Sequence, residues 1–366
     1  MRSVKAQEGL DPLTDLRPRV QACIDGLLAD QAGILAELGT DVDDLLDVIA
    51  ALLAGGKRLR PGFLYWGFRA GGGDDSPALI RLATSMELFQ AAALLHDDVM
   101  DDSDTRRGSP AAHRALAARH TARGWSGAAE RFGLAGAILA GNLCLTWCEE
   151  LYAGSGLPAA ALVRARRQFD TMRTQLMAGQ FLDVVESMRP WAGLPASERL
   201  DRATRVIHFK SAKYTIEHPL LIGALAGGVD DSGLAALSRF GLRLGHAFQL
   251  RDDLLGVFGD PTQTGKPAGD DLREGKRTVL IAHALAGLDS AGRSRVETLL
   301  GTDLRPEGVA EIRELITGSG AVAQVESQIA TLAQEARLAA RAGSSLDADA
   351  VAALDALIDL SIARVS

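Results

Sequence analysis

The stretch LLHDDVMDDSDTRRG, residues 94–108, decides how the rest of the chain is read. It continues an apolar run, Ala91-Ala92-Ala93-Leu94-Leu95, and then places five aspartates, Asp97, Asp98, Asp101, Asp102 and Asp104, within eight residues. In a helix Asp97 and Asp101 share one face, and like charges so placed cost roughly 0.2–0.5 kcal/mol per pair. A solvated helix end has no need of so much acid after a buried run. A second stretch, FQLRDDLLGVFGD, residues 248–260, repeats the form: Asp252 and Asp253 end an apolar run, and Asp260 follows about two turns later. One such cluster reads as fortuitous charge; two of one form, far apart in the chain, point to a shared cation. Hard carboxylate oxygens suit Mg²⁺, which takes one or two carboxylates and completes its shell with water and substrate phosphates. The strict loop pattern of a calcium-binding EF-hand is absent.

Outward from these stretches, alanine and leucine dominate and apolar residues recur at three and four spacing, which predicts an all-α fold. Glycine- and proline-rich breaks divide the chain into about ten or more helices, with 157–188 and 232–258 the longest. No linker is long enough to split it. The expected organisation is a frayed segment over 1–17 and a single helical domain over 18–366, whose last third packs rather than reacts.

Hydrophobic residues make up 47% of the 366 and charged residues 23%, which suits a large core in an ordinary globular protein. A net charge of −8 argues against nucleic acid as a partner. The N-terminus lacks the apolar core of a signal peptide, and no long uncharged apolar run predicts a membrane span. Three cysteines are too few for a disulfide scaffold; Cys144 and Cys148 read as small core residues in a reducing, cytoplasmic setting.

Against the acidic balance, basic residues cluster beside glycines. GGKRLRP, residues 55–61, sets Lys57, Arg58 and Arg60 at a glycine-led helix start with Pro61 in the first turn, where amide donors also face a ligand. Arg106 and Arg107 follow the first acidic cluster, Lys210 and Lys213 lie in FKSAKYT, and Lys266 and Lys276 follow the second cluster. Cations flanking both acidic motifs point to polyanionic ligands neutralised partly by metal and partly directly.

These segments, in this order from Gly55 to about Thr278, resemble the trans-isoprenyl diphosphate synthases, the polyprenyl synthetase family that includes the farnesyl and geranylgeranyl enzymes. The resemblance implies a bundle of the isoprenoid synthase type around a central cavity, and a homodimer. It implies Lys57, Arg60 and Arg107 as holders of isopentenyl diphosphate, with Gln90 near it. DDVMD matches the first aspartate-rich motif, implying Asp97 and Asp101, with Asp98, as metal and catalytic residues. Arg106 is implied as a contact of the allylic diphosphate, together with Lys210, Lys266 and Lys276. GQFLD implies Gln180 and Asp183 near the metals, and FQLRDD implies Gln249 and Asp252, with Asp253 and Asp260 as further acids. Ser211 stands where threonine is common. The clear departure is Gly256, which occupies the fifth position of the second motif, where aspartate is usual.

The implied chemistry is prenyl transfer: Mg²⁺, three ions per site and replaceable by Mn²⁺, drives loss of diphosphate from dimethylallyl, geranyl or farnesyl diphosphate. The double bond of isopentenyl diphosphate attacks the resulting cation, and a proton leaves. The growing tail would run down the helix below Asp97, past Ala93 and Ala92, toward Phe89 about 12 Å away, or Trp147, as a floor. Family members that stop early carry large aromatics where this chain has Ala92 and Ala93. The expected product is therefore geranylgeranyl diphosphate, then longer chains, then farnesyl diphosphate. A terpene cyclase would not require GGKRLRP, and a non-catalytic partner subunit would be expected to lose motif aspartates.

Overall fold

The computed structural model describes residues 11–260 and 269–363. Helix α4 (Pro77–Met100) begins where Ser76 Oγ accepts from the Leu79 amide and Pro77 takes the first helical position, whose N–H would be idle in any case. Before it come α1 (Leu16–Leu35), α2 (Asp43–Leu53) and α3 (Leu59–Ala70). After it come α5 (Ala112–Ala122), α6 (Ala129–Ala153), α7 (Ala159–Met188), α8 (Ala196–Val206), a π-helical segment (Ile207–Glu217), α9 (His218–Gly227) and α10 (Asp231–Phe258). The 30 residues of α7 and 28 of α10 are the long helices expected from the sequence. Among the described residues, shorter helices follow, from Asp270–Arg273 to Ala348–Ile362.

Two clusters of buried apolar side chains hold the helices together, and α10 contributes to both. Leu237, Phe240 and Leu244 join the cluster built on α1, α3, α4, α6, α7 and α9. Leu250, Leu254 and Val257 join a second cluster made largely of the C-terminal helices. The last third therefore does pack, and it braces the end of α10 that carries Asp252 and Asp253. The expectation of a frayed start is corrected from Asp11 onward: Leu13 and Leu16 are 0% and 3% exposed, and Trp66 Nε1 donates to the Pro12 carbonyl at 3.2 Å.

Among the described residues two helices have the length and hydropathy of membrane spans, which the sequence reading did not anticipate. The apolar stretch of α4 is 72% buried inside the fold, whereas that of α6 is 39% buried and leaves Ile138 and Leu139 exposed. Cys144 and Cys148 are both free and buried, and burial pushes the Cys144 thiol up to about 12, as befits core residues.

One element has no warning in the sequence. Thr105–Arg106 and Ser109–Pro110 form a two-residue antiparallel pair, β1 and β2. Arg107 and Gly108 between them both have positive φ, 54° and 77°, the signature of a tight turn matched to strand twist. Adjacent arginines thereby leave in different directions.

Candidate active site

The acidic end of α4, the acidic end of α10 and the π-helical segment line one cavity of about 840 Å³. On α4 its lining comes from Glu87, Gln90, Ala93, Leu94 and Asp97, spaced three or four apart along one helix face with Leu94 beside Ala93. Asp97 Oδ1 accepts from Gln180 Nε2 at 2.6 Å and from Lys210 Nζ at 3.4 Å. Lys210 Nζ also donates to Asp183 Oδ2 at 2.5 Å. Gly179 explains why α7 sits this close: a Cβ there would lie 2.7 Å from the Lys210 backbone nitrogen. Asp101 caps α4, and its Oδ2 accepts from Lys276 Nζ at 2.7 Å, while Glu274 lies 3.0 Å from the same ammonium.

Burial raises the Asp101 pKa, and Asp97 adds to that, against the opposing pull of Lys276. Burial would lower Lys210 and Lys276, yet the surrounding carboxylates outweigh it and hold both above the ordinary lysine value. Acids outnumber cations here, so both lysines stay charged.

From α10, Gln249, Asp252 and Asp253 reach the cavity. Ser211 Oγ donates to Gln249 Oε1, and Gln249 Nε2 donates to Asp253 Oδ1 at 2.8 Å. Asp253 is 4% exposed, its Oδ2 is buried without a partner, and burial raises its pKa well above the usual carboxylate range. Among the described residues no three of His, Cys, Asp and Glu converge closely enough to hold an ion unaided. Mg²⁺ takes few protein ligands and fills its shell from phosphate and water, and the orphaned Asp253 oxygen and the half-buried Asp101 carboxylate are donors suited to such an ion.

The basic wall faces the same space. Lys57, Arg60 and Arg107 line it. Arg60 donates to Thr215 Oγ1 at 2.9 Å and lies over the Tyr214 ring at 4.5 Å. Tyr214 Oη donates to Gln90 Oε1 at 2.5 Å, and its ring meets Phe89 edge-on at 5.6 Å. Arg107 turns toward the glycine loop, donating to the Leu52 carbonyl at 2.9 Å, and burial lowers its pKa.

Helix geometry leaves several of the expected site residues outside the cavity lining. Asp98, one residue round the helix from Asp97, is 2% exposed and lies outside the cavity lining, where it accepts from Arg106; Arg106 lines the cavity and comes within 3.6 Å of Asp97. Burial works against the charge of Arg106, but Asp98 outweighs it and raises its pKa. Ala92 is 0% exposed and sits off the cavity face, so Ala93 alone of the two lines the cavity. Phe89 and Trp147 are buried outside the lining, and Tyr214 stands in front of Phe89. Asp260, past the α10 cap at Gly259, is exposed and is not in the lining. Lys266 lies outside the described residues.

Sequence reasoning missed Tyr214 and Thr215, although Tyr214 stands four residues after Lys210 and Thr215 four after Ser211. It also missed Asp271, which lines the cavity. Arg58, grouped with the phosphate cations, is instead 3% exposed and paired with buried Glu87, with Gln21 and with the Leu53 carbonyl.

An all-α chamber in which two acidic helix ends meet a basic wall defines a prenyltransferase that builds prenyl diphosphates. The chain belongs to the polyprenyl synthetase family, whose model matches residues 42–317. A geranylgeranyl pyrophosphate synthase from Corynebacterium glutamicum, solved with isoprenyl diphosphate and magnesium, superposes with a TM-score of 0.90 at 38% identity, covering 96% of this chain and 99% of that one. A geranylfarnesyl diphosphate synthase of Aeropyrum pernix is 31% identical over 85% of this chain and 91% of its own length. A geranylgeranyl diphosphate synthase of Mycobacterium tuberculosis is 36% identical over 63% of this chain and 59% of its own length.

Proposed function

We propose that the enzyme condenses isopentenyl diphosphate with dimethylallyl, geranyl or farnesyl diphosphate in the cytoplasm, as one helical domain within a homodimer, and that geranylgeranyl diphosphate is its product. The carrying observation is the single cavity into which Asp97, Asp252, Lys57, Arg60, Arg106, Lys210 and Lys276 all project. Mg²⁺ would be held by Asp97, Asp101 and Asp252, where it supplies positive charge to the departing diphosphate. Three ions, or Mn²⁺ in their place, suit the acid excess.

Arg106, held by Asp98, and Lys210 and Lys276 stabilise charge on the allylic diphosphate as its carbon–oxygen bond breaks. Lys57, Arg60 and Arg107 bind the diphosphate of isopentenyl diphosphate, with Tyr214 and Thr215 orienting Arg60. The Gln249 and Ser211 dipoles stand beside the reacting carbons, and the released proton leaves with diphosphate. Leu94, Leu176 and Phe248 in the lining exclude water that would quench the cation. Ala93 leaves room below Asp97 for a tail longer than farnesyl. The exposed apolar residues Ile138 and Leu139 of α6, 44% and 54% accessible, support the homodimer.

The test supplies Mg²⁺, isopentenyl diphosphate and each allylic primer, then sizes the dephosphorylated alcohols. Geranylgeraniol that disappears with Asp97→Ala is expected. Longer alcohols would overturn the product assignment, and no extension with any primer would overturn the reaction.

A further inference from the structure

The seam between the π-helical segment and α10 carries a pair of histidines that the prenyl-transfer chemistry does not use. The two elements meet backbone to backbone at Gly245, where a Cβ would lie 2.5 Å from the Ala212 Cα. Around that contact two side-chain pairs close the seam. Ser211 meets Gln249, both in the cavity lining, and His208 meets His246, neither of them in it. His208 Nδ1 and His246 Nε2 lie 3.3 Å apart, with ring centroids at 5.6 Å and ring planes inclined by 49°.

That separation is long for a hydrogen bond, whose N–H···O counterpart spans about 2.7–3.2 Å. It is the span of two imidazoles on one tetrahedral zinc ion, since Zn–N bonds of about 2.0–2.1 Å at the tetrahedral angle set the nitrogens about 3.3–3.4 Å apart. Both rings are half-buried. Burial lowers both pKa values, that of His246 to about 4, with Lys213 adding to the effect at His208, and His208 and Arg243 at His246. Both rings are therefore neutral near pH 7 and have lone pairs to give. The nearby cations are already matched: Lys213 lies 3.4 Å from Glu217, and Arg243 lies 3.0 Å from Glu335. Among the described residues no third His, Cys, Asp or Glu completes the group, so water takes the remaining positions.

We propose that His208 and His246 form a binding site for one Zn²⁺ ion, separate from the carboxylate cavity, which fastens the π-helical segment to α10. Imidazole nitrogen suits Zn²⁺, whereas Mg²⁺ prefers oxygen, so the two sites select different ions. Bound to His208 Nδ1 and His246 Nε2, the ion leaves each ring's proton on its other nitrogen. The ring that accepts in the present contact already holds that tautomer, and the donor ring exchanges its proton through water.

The experiment titrates Zn²⁺ into the protein by isothermal calorimetry near pH 7, with excess Mg²⁺ and no diphosphate. One Zn²⁺ per chain is expected, and the melting temperature should rise with it, because the ion binds the folded chain. Losing a group that merely supports a metal ligand typically costs about 10- to 100-fold, and losing a ligand costs at least that. His208→Gln and His246→Gln should therefore each weaken Zn²⁺ about 10-fold or more and abolish the rise in melting temperature. His283→Gln, at a histidine bonded instead to Gln328, should leave both unchanged. Melts without Zn²⁺ show that each variant is folded. Wild-type Zn²⁺ affinity in either His208→Gln or His246→Gln overturns the proposal. So does binding that is lost in Asp97→Asn, which would place the ion among the carboxylates, and so does an absence of Zn²⁺ binding by the wild-type chain.

Discussion

Replacing Arg58 by methionine should cost stability far more than it costs substrate affinity. The guanidinium is 3% exposed, sits on a residue with φ 55°, and is paired with Glu87, itself 5% exposed. It also donates to Gln21 Oε1 and to the Leu53 carbonyl, both at 2.5 Å, fastening the glycine loop to α1 and α2. Removing one partner of a buried pair leaves the other charge uncompensated, a loss of about 3–5 kcal/mol. Typical unfolding entropy for 366 residues is about 0.8 kcal/mol per kelvin, so the midpoint should fall by about 4–6 °C. Adding Glu87→Gln removes the stranded charge and should recover about half of that loss. Scanning calorimetry checks both, beside the exposed control Arg131→Met, and steady-state kinetics follow KM for isopentenyl diphosphate. If Arg58→Met melts like Arg131→Met while KM rises more than about tenfold, Arg58 is a phosphate ligand and the structural account is wrong.

Ala93→Phe should block the tail one turn below Asp97 and shift product toward farnesol or shorter, read by chromatography of the dephosphorylated alcohols; Ala92→Phe, at a fully buried site, should instead cost about 1–3 kcal/mol of overpacking. Tyr214→Phe removes the donor to Gln90 and should raise KM for isopentenyl diphosphate about fivefold with little change in kcat, a loss near 1 kcal/mol. His218 is buried between Gln168 and Gln175, and burial, with Lys213 and His208 adding to it, lowers its pKa from 6.5 to about 3. In the window between those values the unfolded chain binds the proton and the folded chain does not, so stability falls as pH drops from 6.5 toward 3; His218→Gln should flatten that slope in urea titrations.

What the sequence made legible was whatever repeats on one helix face. Asp97 with Asp101, and Gln180 with Asp183, are local pairs whose spacing alone sets them side by side. Asp98 and Ala92 show where reading by proximity in sequence fails: each neighbours a cavity residue, and each is rotated away from it. The Arg107–Gly108 turn depends on a left-handed arginine, which no propensity foretells. Asp271 behind Gly256 is a contact between separate elements, invisible until both are folded. Arg58 looked like its neighbours Lys57 and Arg60 because charge type does not reveal burial.

The π-helical segment constrains how this enzyme can vary. A wider coil with i to i+5 bonding is rare at more than one turn and here runs for eleven residues, carrying Lys210, Ser211, Tyr214 and Thr215. Ordinary helices at both ends, α8 and α9, are anchored by their own packing, so the segment cannot gain or lose a residue without turning those four side chains relative to α4 and α10. Substitution is open to it, but length is not. Divergence along 207–217 should therefore proceed by exchange of side chains at constant spacing, and a library of single-residue deletions should show a sharp band of inactive clones there, flanked by tolerance in the outer loops.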